Sequence, residues 1–127
     1  MLDAIRAAAD ALNRGDPEPF VALVADDCEW RGIAEAGSPE EEAPSCHGPR
    51  EVREVLRLGL ARRGGAEFVR DLELRRVGED RVVGSADWLA PDGGRQRRYQ
   101  VLTVRDGKIV DIQGCWTAEE ADEYAGA

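Results

Sequence analysis

The sequence predicts an α+β domain, because helical spacing of apolar residues in its first half gives way to strand-like alternation in its second half. Three helical segments precede Gly65, and four strand-like runs follow it. Short turns between these runs predict an antiparallel sheet with helices covering one face. At 127 residues, of which 43% are hydrophobic, the chain suits one core, so we expect a single domain over residues 1–127.

Two helices are predicted at the start of the chain. The first has apolar residues at helical spacing, namely Leu2, Ile5, Ala9 and Leu12. Gly15 is placed to end it. Asp16 is then placed to cap a second, short helix that has Pro17 at its first position.

A third helix is predicted after an irregular segment. The alternating residues Cys28 to Arg31 favour a brief strand. Periodicity fades from Ile33 to His47, where prolines and acidic residues predict an exposed loop. A lid over a binding site and a plain solvated connection both fit this loop. Gly48-Pro49 opens the third helix, and Gly64-Gly65 ends it.

The second half is predicted to form an antiparallel meander. Its strand-like runs span residues 67–77, 81–90, 96–105 and 108–117. Asp106-Gly107 is the two-residue signal of a tight hairpin between the last two strands. The acidic residues 119–127 are expected to form a frayed helix or tail.

Composition argues against several classes of function. The formal net charge of −9 disfavours binding to the phosphate backbone of nucleic acids. The apolar stretches are too short for a membrane span, and the first residues lack the features of an export signal, so a cytoplasmic location is expected. Three widely spaced cysteines and one histidine predict neither a disulfide framework nor a metal centre, and no cofactor is expected.

A local cluster of arginines stands out in this acidic chain. Arg95, Arg97 and Arg98 follow directly after a glycine-rich turn. We interpret them as solvated side chains beside the turn of an exposed strand, with recognition of a phosphate or carboxylate as the alternative.

Four short motifs occur along the chain in a characteristic order. They are Ala11–Asp16 at the end of the first helix, Ala25–Arg31 before the irregular segment, His47–Val52 at the start of the third helix, and Val104–Val110 at the last hairpin. Their order and spacing resemble the SnoaL-like family, within the nuclear transport factor 2-like and ketosteroid isomerase-like superfamily. The resemblance implies a cone-shaped barrel, with three N-terminal helices packed on a curved, mainly antiparallel sheet around a pocket. It also implies a homodimer paired through the sheet.

The resemblance extends to ketosteroid isomerases, which use a carboxylate base, a tyrosine and a protonated aspartate. The flanking motifs place these three positions at Gly32, near Ala8 and near Gln100. Glycine cannot accept a proton and alanine cannot donate one, so steroid isomerisation by this arrangement is not expected. The amide of Gln100 can still donate to a ligand oxygen, which makes Gln100 a candidate for polarising a carbonyl or orienting a guest.

The family register turns one face of each strand toward the pocket, and alternation then selects the residues on that face. The resulting ligand-binding candidates are Trp30, Trp88, Gln100, Leu102, Ile112 and Trp116. Such a pocket favours a flat, largely apolar guest held by a few polar groups. The alternative for each tryptophan is a place in the core, and for Gln100 a hydrogen bond to a neighbour or to water.

His47 is the only histidine, and imidazole is the side chain most easily used for proton transfer near neutral pH. His47 is therefore a candidate catalytic residue together with Gln100, with Glu29, Asp87 or an acid of the loop as its partner. The alternative is that His47 bonds local backbone or faces solvent.

Cys28 and Cys115 lie in apolar strand contexts and are interpreted as small buried hydrophobes. Cys46 is next to His47, but sequence neighbours seldom point at each other and no third orienting group is evident, so Cys46 is not expected to act as a nucleophile.

The sequence favours a pocket protein that binds a small hydrophobic or polyketide-like compound. A cofactor-independent isomerase, cyclase or hydratase is one form of this hypothesis, in which acid-base groups act on the bound compound. A noncatalytic ligand-binding or dimeric scaffold module is the other, because the isomerase carboxylate is replaced by Gly32.

Overall fold

The computed structural model describes residues 1–32, 45–61, 67–89 and 94–126. These residues confirm the α+β fold, with four helices on a six-stranded curved sheet. Most of the predicted loop and the stop signal Gly64-Gly65 lie outside the described residues. In the described ranges no helix is long and apolar enough to cross a membrane.

The three predicted helices are present. α1 spans Leu2–Asn13, α2 spans Glu18–Val21 and α3 spans Gly48–Ala61. The backbone N–H of Glu18 donates to Oδ1 of Asp16 at 3.0 Å. Asp16 therefore satisfies one of the amides that the start of a helix leaves without a partner.

The strands form a single mixed sheet. They are β1 (Val24–Arg31), β2 (Ser45–His47), β3 (Val69–Val77), β4 (Arg81–Leu89), β5 (Arg95–Arg105) and β6 (Lys108–Cys115). Their order is β2-β1-β6-β5-β4-β3, and only β1 and β6 are parallel neighbours. Among the described residues the sheet stays open, with β2 and β3 at its edges, so the mainly antiparallel sheet is confirmed but does not close as a barrel.

Two parts of the sheet differ from the sequence-based expectation. β1 begins at Val24, four residues before the predicted strand, and its pairing with β6 shifts register between Val24 and Glu29. β2 lies at the end of the predicted loop and pairs with the last residues of β1. A three-residue strand is too short to produce a readable alternation, which explains why the pattern did not predict it.

The predicted hairpin between β5 and β6 is confirmed. Asp106 and Gly107 are the two residues between the strands, and their φ angles are 53° and 75°. Positive φ angles at both central positions are characteristic of a type I′ turn, whose twist matches that of the flanking strands.

One face of the sheet, here called the inner face, packs against α1, α2 and α3. Its buried residues Val82, Ala86, Leu102 and Ile112 belong to the same core cluster as the apolar sides of the helices. On β4 and β5 the even-numbered residues carry this face. The main core therefore lies between the helices and the inner face.

The opposite, outer face carries a fourth helix, α4 (Ala118–Ala125), where a frayed helix or tail was expected. α4 and the outer face together form a second core cluster, whose buried residues are Val83, Val101, Cys115, Ala121 and Ala125. Oγ1 of Thr117 accepts from the N–H of Glu120 at 3.1 Å, and Oε2 of Glu120 accepts from the N–H of Trp116 at 3.0 Å. These reciprocal bonds cap the start of α4.

Side chains of the sheet also hold α4 in place. The hydroxyl of Tyr124 donates to Oδ2 of Asp111 at 3.0 Å, and Nη2 of Arg31 donates to the Tyr124 hydroxyl at 2.7 Å. Arg75 forms an ion pair with Asp122. α4 thus covers part of the sheet face through which the family resemblance implies dimer pairing.

Candidate functional site

A cavity lies between α1 and the inner face of β3, β4 and β5. The volume that the centre of a water molecule can occupy in this cavity is about 40 Å³, and the cavity is partly open to solvent. Its apolar wall includes Ile5, Leu12, Phe20, Leu72, Leu74 and Leu102. Since one water needs roughly 10–15 Å³ on this measure, the space holds a few waters or a small chemical group. A larger guest must extend through the open side or move part of the wall.

The space exists because two small residues lie on β4. Gly84 and Ala86 both line the cavity on the inner face. A Cβ at Gly84 would lie 3.3 Å from Cδ2 of Leu74 and 3.9 Å from Cδ1 of Leu102. The absent side chain therefore accounts for part of the volume.

Two polar side chains face the cavity from β5. Gln100 is paired in register with Gly84, and Arg98 with Ala86, so the two polar residues lie across from the two small ones. Nη2 of Arg98 donates to Oε1 of Gln96 at 3.4 Å, which orients the guanidinium along the strand. Among the described lining residues, Arg98 carries the one formal charge.

Ser85 also borders the cavity, but its hydroxyl faces the other way. Oγ of Ser85 accepts from Nη2 of Arg97 at 2.9 Å on the outer face. Arg97 pairs there with Asp87 as well, at 3.3 Å. The hydrogen-bonding groups that described side chains offer to a guest are thus those of Arg98, Gln100 and the indole N–H of Trp88.

Trp88 forms the wall beside these polar groups, and its ring is fixed by aromatic contact. The centroids of Trp88 and Phe68 are 5.4 Å apart with the rings edge to face. Phe68 in turn lies against α3 at Gly59, where a Cβ would come within 2.7 Å of the Phe68 ring. The position of the Trp88 wall therefore depends on a glycine in α3.

The structure brings three of the predicted site residues together at the cavity. Trp88, Gln100 and Leu102 all line it. Ile112 lies in the core with 1% of its surface exposed. Trp30 packs on Phe20, with ring centroids 5.8 Å apart, and Phe20 lies between it and the cavity.

Trp116 lies apart from this group and is 45% exposed. β6 ends at Cys115, so the alternation that was expected to carry Trp116 inward stops one residue earlier. Trp116 directly precedes Thr117, the capping residue of α4. The change from strand to helix explains its exposure.

His47 lies on the outer face of the sheet, opposite the cavity. In register it faces Glu29 across β1 and β2, and its backbone N–H donates to Oε1 of Glu51 at 3.0 Å. Its side chain is exposed, whereas Gln100 faces inward. The two candidate catalytic residues are therefore separated by the sheet.

Arg98 is the cavity residue that sequence reasoning missed, because it was grouped with solvated arginines. The signal was present in the alternation: Arg98 has the same parity as Gln100 and Leu102, while Arg97 has the opposite parity. Arg97 is on the outer face, although partly buried by its ion pairs rather than fully solvated.

The cysteines lie in apolar surroundings. Burial raises the pKa of the Cys28 thiol to about 12, and it also raises the pKa of the Cys46 thiol. Both thiols are therefore protonated near neutral pH, and Cys46 lies on the face opposite His47. Cys28 and Cys115 are both buried, as their apolar strand contexts predicted, and the protonated thiol of Cys46 is turned away from the imidazole that would activate it.

A second, polar groove borders α1 and the start of β3. It is wide and open, with about 700 Å³ of accessible space, and its charged residues are Arg6, Asp10, Glu67, Arg70 and Asp71. Its mixed charges define no one ligand chemistry. In the described ranges no group of three or more histidine, cysteine or acidic side chains is arranged to hold a metal ion.

The arrangement of the inner cavity suits binding more directly than proton transfer. Arg98 and Gln100 both donate hydrogen bonds, so they can hold an oxygen of a guest. The described lining residues include no aspartate, glutamate, histidine, tyrosine or cysteine that would accept or deliver a proton.

Solved structures match the fold of the chain over most of its length. Bal32a, from a soil-derived mobile gene cassette, has a TM-score of 0.73 and 18% identity over 94% of this chain and 91% of its own. TerC, crystallised with polyporic acid, has a TM-score of 0.62 and 22% identity over 99% of this chain and 98% of its own. A Mesorhizobium loti protein provisionally named a SnoaL-like polyketide cyclase has a TM-score of 0.59 and 18% identity over 91% of this chain and 97% of its own. At these identities the likeness concerns the fold.

Residues 5–112 match the SnoaL-like domain, and the chain therefore belongs to the SnoaL-like family. No curated protein matches it.

Proposed function

We propose that this chain is a small-molecule pocket protein that holds a hydrophobic or polyketide-like compound between α1 and the inner face of β4 and β5. The observation that carries the proposal is the partly open apolar cavity with Arg98 and Gln100 in its wall. An apolar cavity with a few placed polar groups is the usual form of a ligand site. Two structural relatives support the same ligand class: the Mesorhizobium loti protein is named as a polyketide cyclase, and TerC was crystallised with polyporic acid.

The test is a ligand screen with a variant that fills the cavity. Ala86 is 1% exposed and lies across from Arg98, so Ala86→Val adds two methyl groups to the space without introducing a polar atom. Thr103→Val is the matched control, because it places the same side chain on the outer face of β5.

A bound compound is expected to raise the unfolding temperature of the wild type and of Thr103→Val. At a free concentration of 100 times Kd the stabilisation is about 2.7 kcal/mol. Ala86→Val is expected to lose this stabilisation. Retention of the same affinity in Ala86→Val would contradict the proposed location, and the absence of any binder in a broad set that includes polyporic acid would contradict the function.

Catalysis is a second candidate, supported by the pair of donors at Arg98 and Gln100. A donor that contacts a substrate oxygen stabilises negative charge that develops on it, as an isomerase, cyclase or hydratase of an enolisable compound requires. Because the described wall offers no proton acceptor, the acceptor would be a group of the substrate, a water molecule or a residue outside the described ranges. This candidate needs no cofactor.

The catalytic candidate is separated from simple binding by turnover. Gln100→Leu is expected to lower kcat by roughly 10²–10³ if its amide holds the developing oxyanion. His47→Ala is expected to leave kcat unchanged, because His47 is on the outer face. Loss of turnover in His47→Ala with full activity in Gln100→Leu would overturn this assignment, and binding without turnover would favour the noncatalytic form.

We also propose that the chain forms a homodimer, as the family resemblance implies, and that it acts in the cytoplasm. α4 covers part of the outer face, so pairing through the sheet would use the part that α4 leaves exposed. Light scattering at micromolar concentration is expected to give twice the mass of the chain. A monomer mass under these conditions would contradict the dimer.

A further inference from the structure

We infer that α4 is a detachable cover of the outer face, held in place largely by charge, and that it opens as one unit while the main core stays folded. Opening exposes an apolar strip made of Val83, Val101 and Cys115, which α4 covers in the structure. Ionic strength thereby regulates how much apolar surface the outer face presents. The cavity lies on the other side of the sheet, so this cover is separate from the proposed ligand site.

The apolar contact of α4 with the sheet is small. Its buried residues are Ala121 and Ala125, which each bring one methyl group, and the larger Tyr124 is 36% exposed. A helix of eight residues is also too short to be stable in water without support from the rest of the protein. Polar contacts must therefore supply most of the attachment.

The charges of α4 and of the strands beneath it are opposite. The helix contains no basic residue and four acidic ones, namely Glu119, Glu120, Asp122 and Glu123. Arg75 of β3 forms an ion pair with Asp122, and Arg81 of β4 donates to the backbone carbonyl of Tyr124. A cation at this end of a helix is favoured, because the last carbonyls carry partial negative charge. Charge attraction therefore holds both the middle and the end of α4.

The contacts that hold α4 are accessible to dissolved ions. In the ion pair of Arg75 with Asp122 the two side chains are 53% and 44% exposed. Salt screens the attraction between exposed charges, whereas it does not weaken the burial of apolar surface in this way. A rise in ionic strength is therefore expected to loosen α4 and to leave the main core in place.

The connection between β6 and α4 allows the helix to move separately. It consists of Trp116 and Thr117, and the side chain of Trp116 is not anchored in the core, since the residue is 45% exposed. Thr117 has extended backbone angles, with φ at −133° and ψ at 161°. Among the described residues, the buried members of the main core cluster include none from α4. Rotation at the connection therefore moves α4 without opening the main core.

The thiol of Cys115 tests this account, because it is buried under α4, whereas Cys28 and Cys46 lie in the main core. The folded chain is treated with N-ethylmaleimide at fixed pH, and mass spectrometry of its peptides gives the labelling rate of each thiol. Cys115 is expected to react while Cys28 and Cys46 stay protected. Its rate is expected to rise at least about threefold between low salt and about 0.5 M sodium chloride.

Arg75→Met removes the ion pair with Asp122 and is expected to raise the Cys115 labelling rate at low salt about two- to fivefold. The further acceleration by salt should be smaller in this variant. Arg76→Met is the matched control, because it removes the same side chain from the next position of β3, which is paired with Val82 of the main core. It is expected to leave the Cys115 rate unchanged.

Three results would overturn the inference. Equal labelling rates of the three thiols, or protection of all three at every salt concentration, would show that α4 does not open as a separate unit. A Cys115 rate that is independent of salt would show that charge does not hold the helix. An equal rise in Arg75→Met and Arg76→Met would show that the ion pair with Asp122 has no specific part in holding it.

Discussion

The side chain of Asn13 pairs with both backbone polar groups of Val69. Its Nδ2 donates to the Val69 carbonyl at 2.8 Å, and its Oδ1 accepts from the Val69 N–H at 2.8 Å. The amide thus takes the place of a neighbouring strand at the start of β3. Because Val69 lines the cavity, this pair fixes the end of α1 relative to one wall of the site.

Asn13→Ala is predicted to destabilise the protein by about 1–3 kcal/mol, because it leaves two partly buried backbone groups without these bonds. Urea unfolding measures the loss. Asp10→Ala on the exposed side of α1 is the control, and its expected change is within about 0.5 kcal/mol. Equal stability of Asn13→Ala and the wild type would show that the pair does not hold α1 to β3.

Gly59→Ala is predicted to destabilise the protein despite the higher helix propensity of alanine. The propensity gain is about 1 kcal/mol, but the new Cβ would come within 2.7 Å of the Phe68 ring, and such overpacking costs about 1–3 kcal/mol. Displacement of Phe68 should also change the fluorescence of Trp88, which packs on it. Leu58→Ala, on the 61% exposed position beside it, should change neither property. A more stable Gly59→Ala protein would contradict the close packing.

The raised pKa of the Cys28 thiol predicts a loss of stability at alkaline pH. Its pKa is raised to about 12 in the folded protein from an ordinary value near 9, so the folded state favours the protonated thiol. The contribution is fully present below pH 9 and is lost as the pH rises toward 12. Cys28→Ala should therefore show a shallower fall in unfolding free energy over this range. Identical slopes in the two proteins would contradict the raised pKa.

Thr117→Ala is predicted to weaken α4 by about 1 kcal/mol, because it removes the oxygen that accepts from the N–H of Glu120. Hydrogen exchange of the α4 amides measures this effect locally. Thr117→Ser is the matched control, since it keeps the accepting hydroxyl. Unchanged exchange in Thr117→Ala would mean that the contacts of Tyr124 and Asp122 alone hold the helix.

The fold was predictable to a large extent because apolar spacing and turn residues encode it locally. The helix after Gly48 and the hairpin at Asp106-Gly107 lie where these signals place them. β2 was not predictable, because its three residues depend on pairing with β1 rather than on their own pattern. α4 was only partly predictable, because its cap at Thr117 was overlooked and its anchors come from distant strands.

The candidate site was less predictable than the fold. Alternation placed Trp88, Gln100 and Leu102 on the cavity face. It failed for Trp116, where the strand ends, and it was not applied to Arg98, where charge was taken as a sign of exposure. The position of His47 relative to the cavity depended on the face that β2 presents, which a short strand does not reveal in sequence.

The most direct test of the central claim is to follow the indole N–H signals of the three tryptophans by NMR while a compound from the ligand screen is added. The three lie in different places: Trp88 in the cavity wall, Trp30 behind Phe20, and Trp116 exposed beside α4. A guest in the cavity is predicted to shift the Trp88 signal most and to leave the Trp116 signal unchanged. A shift at Trp116 without one at Trp88, or no shift at saturating guest, would contradict the account.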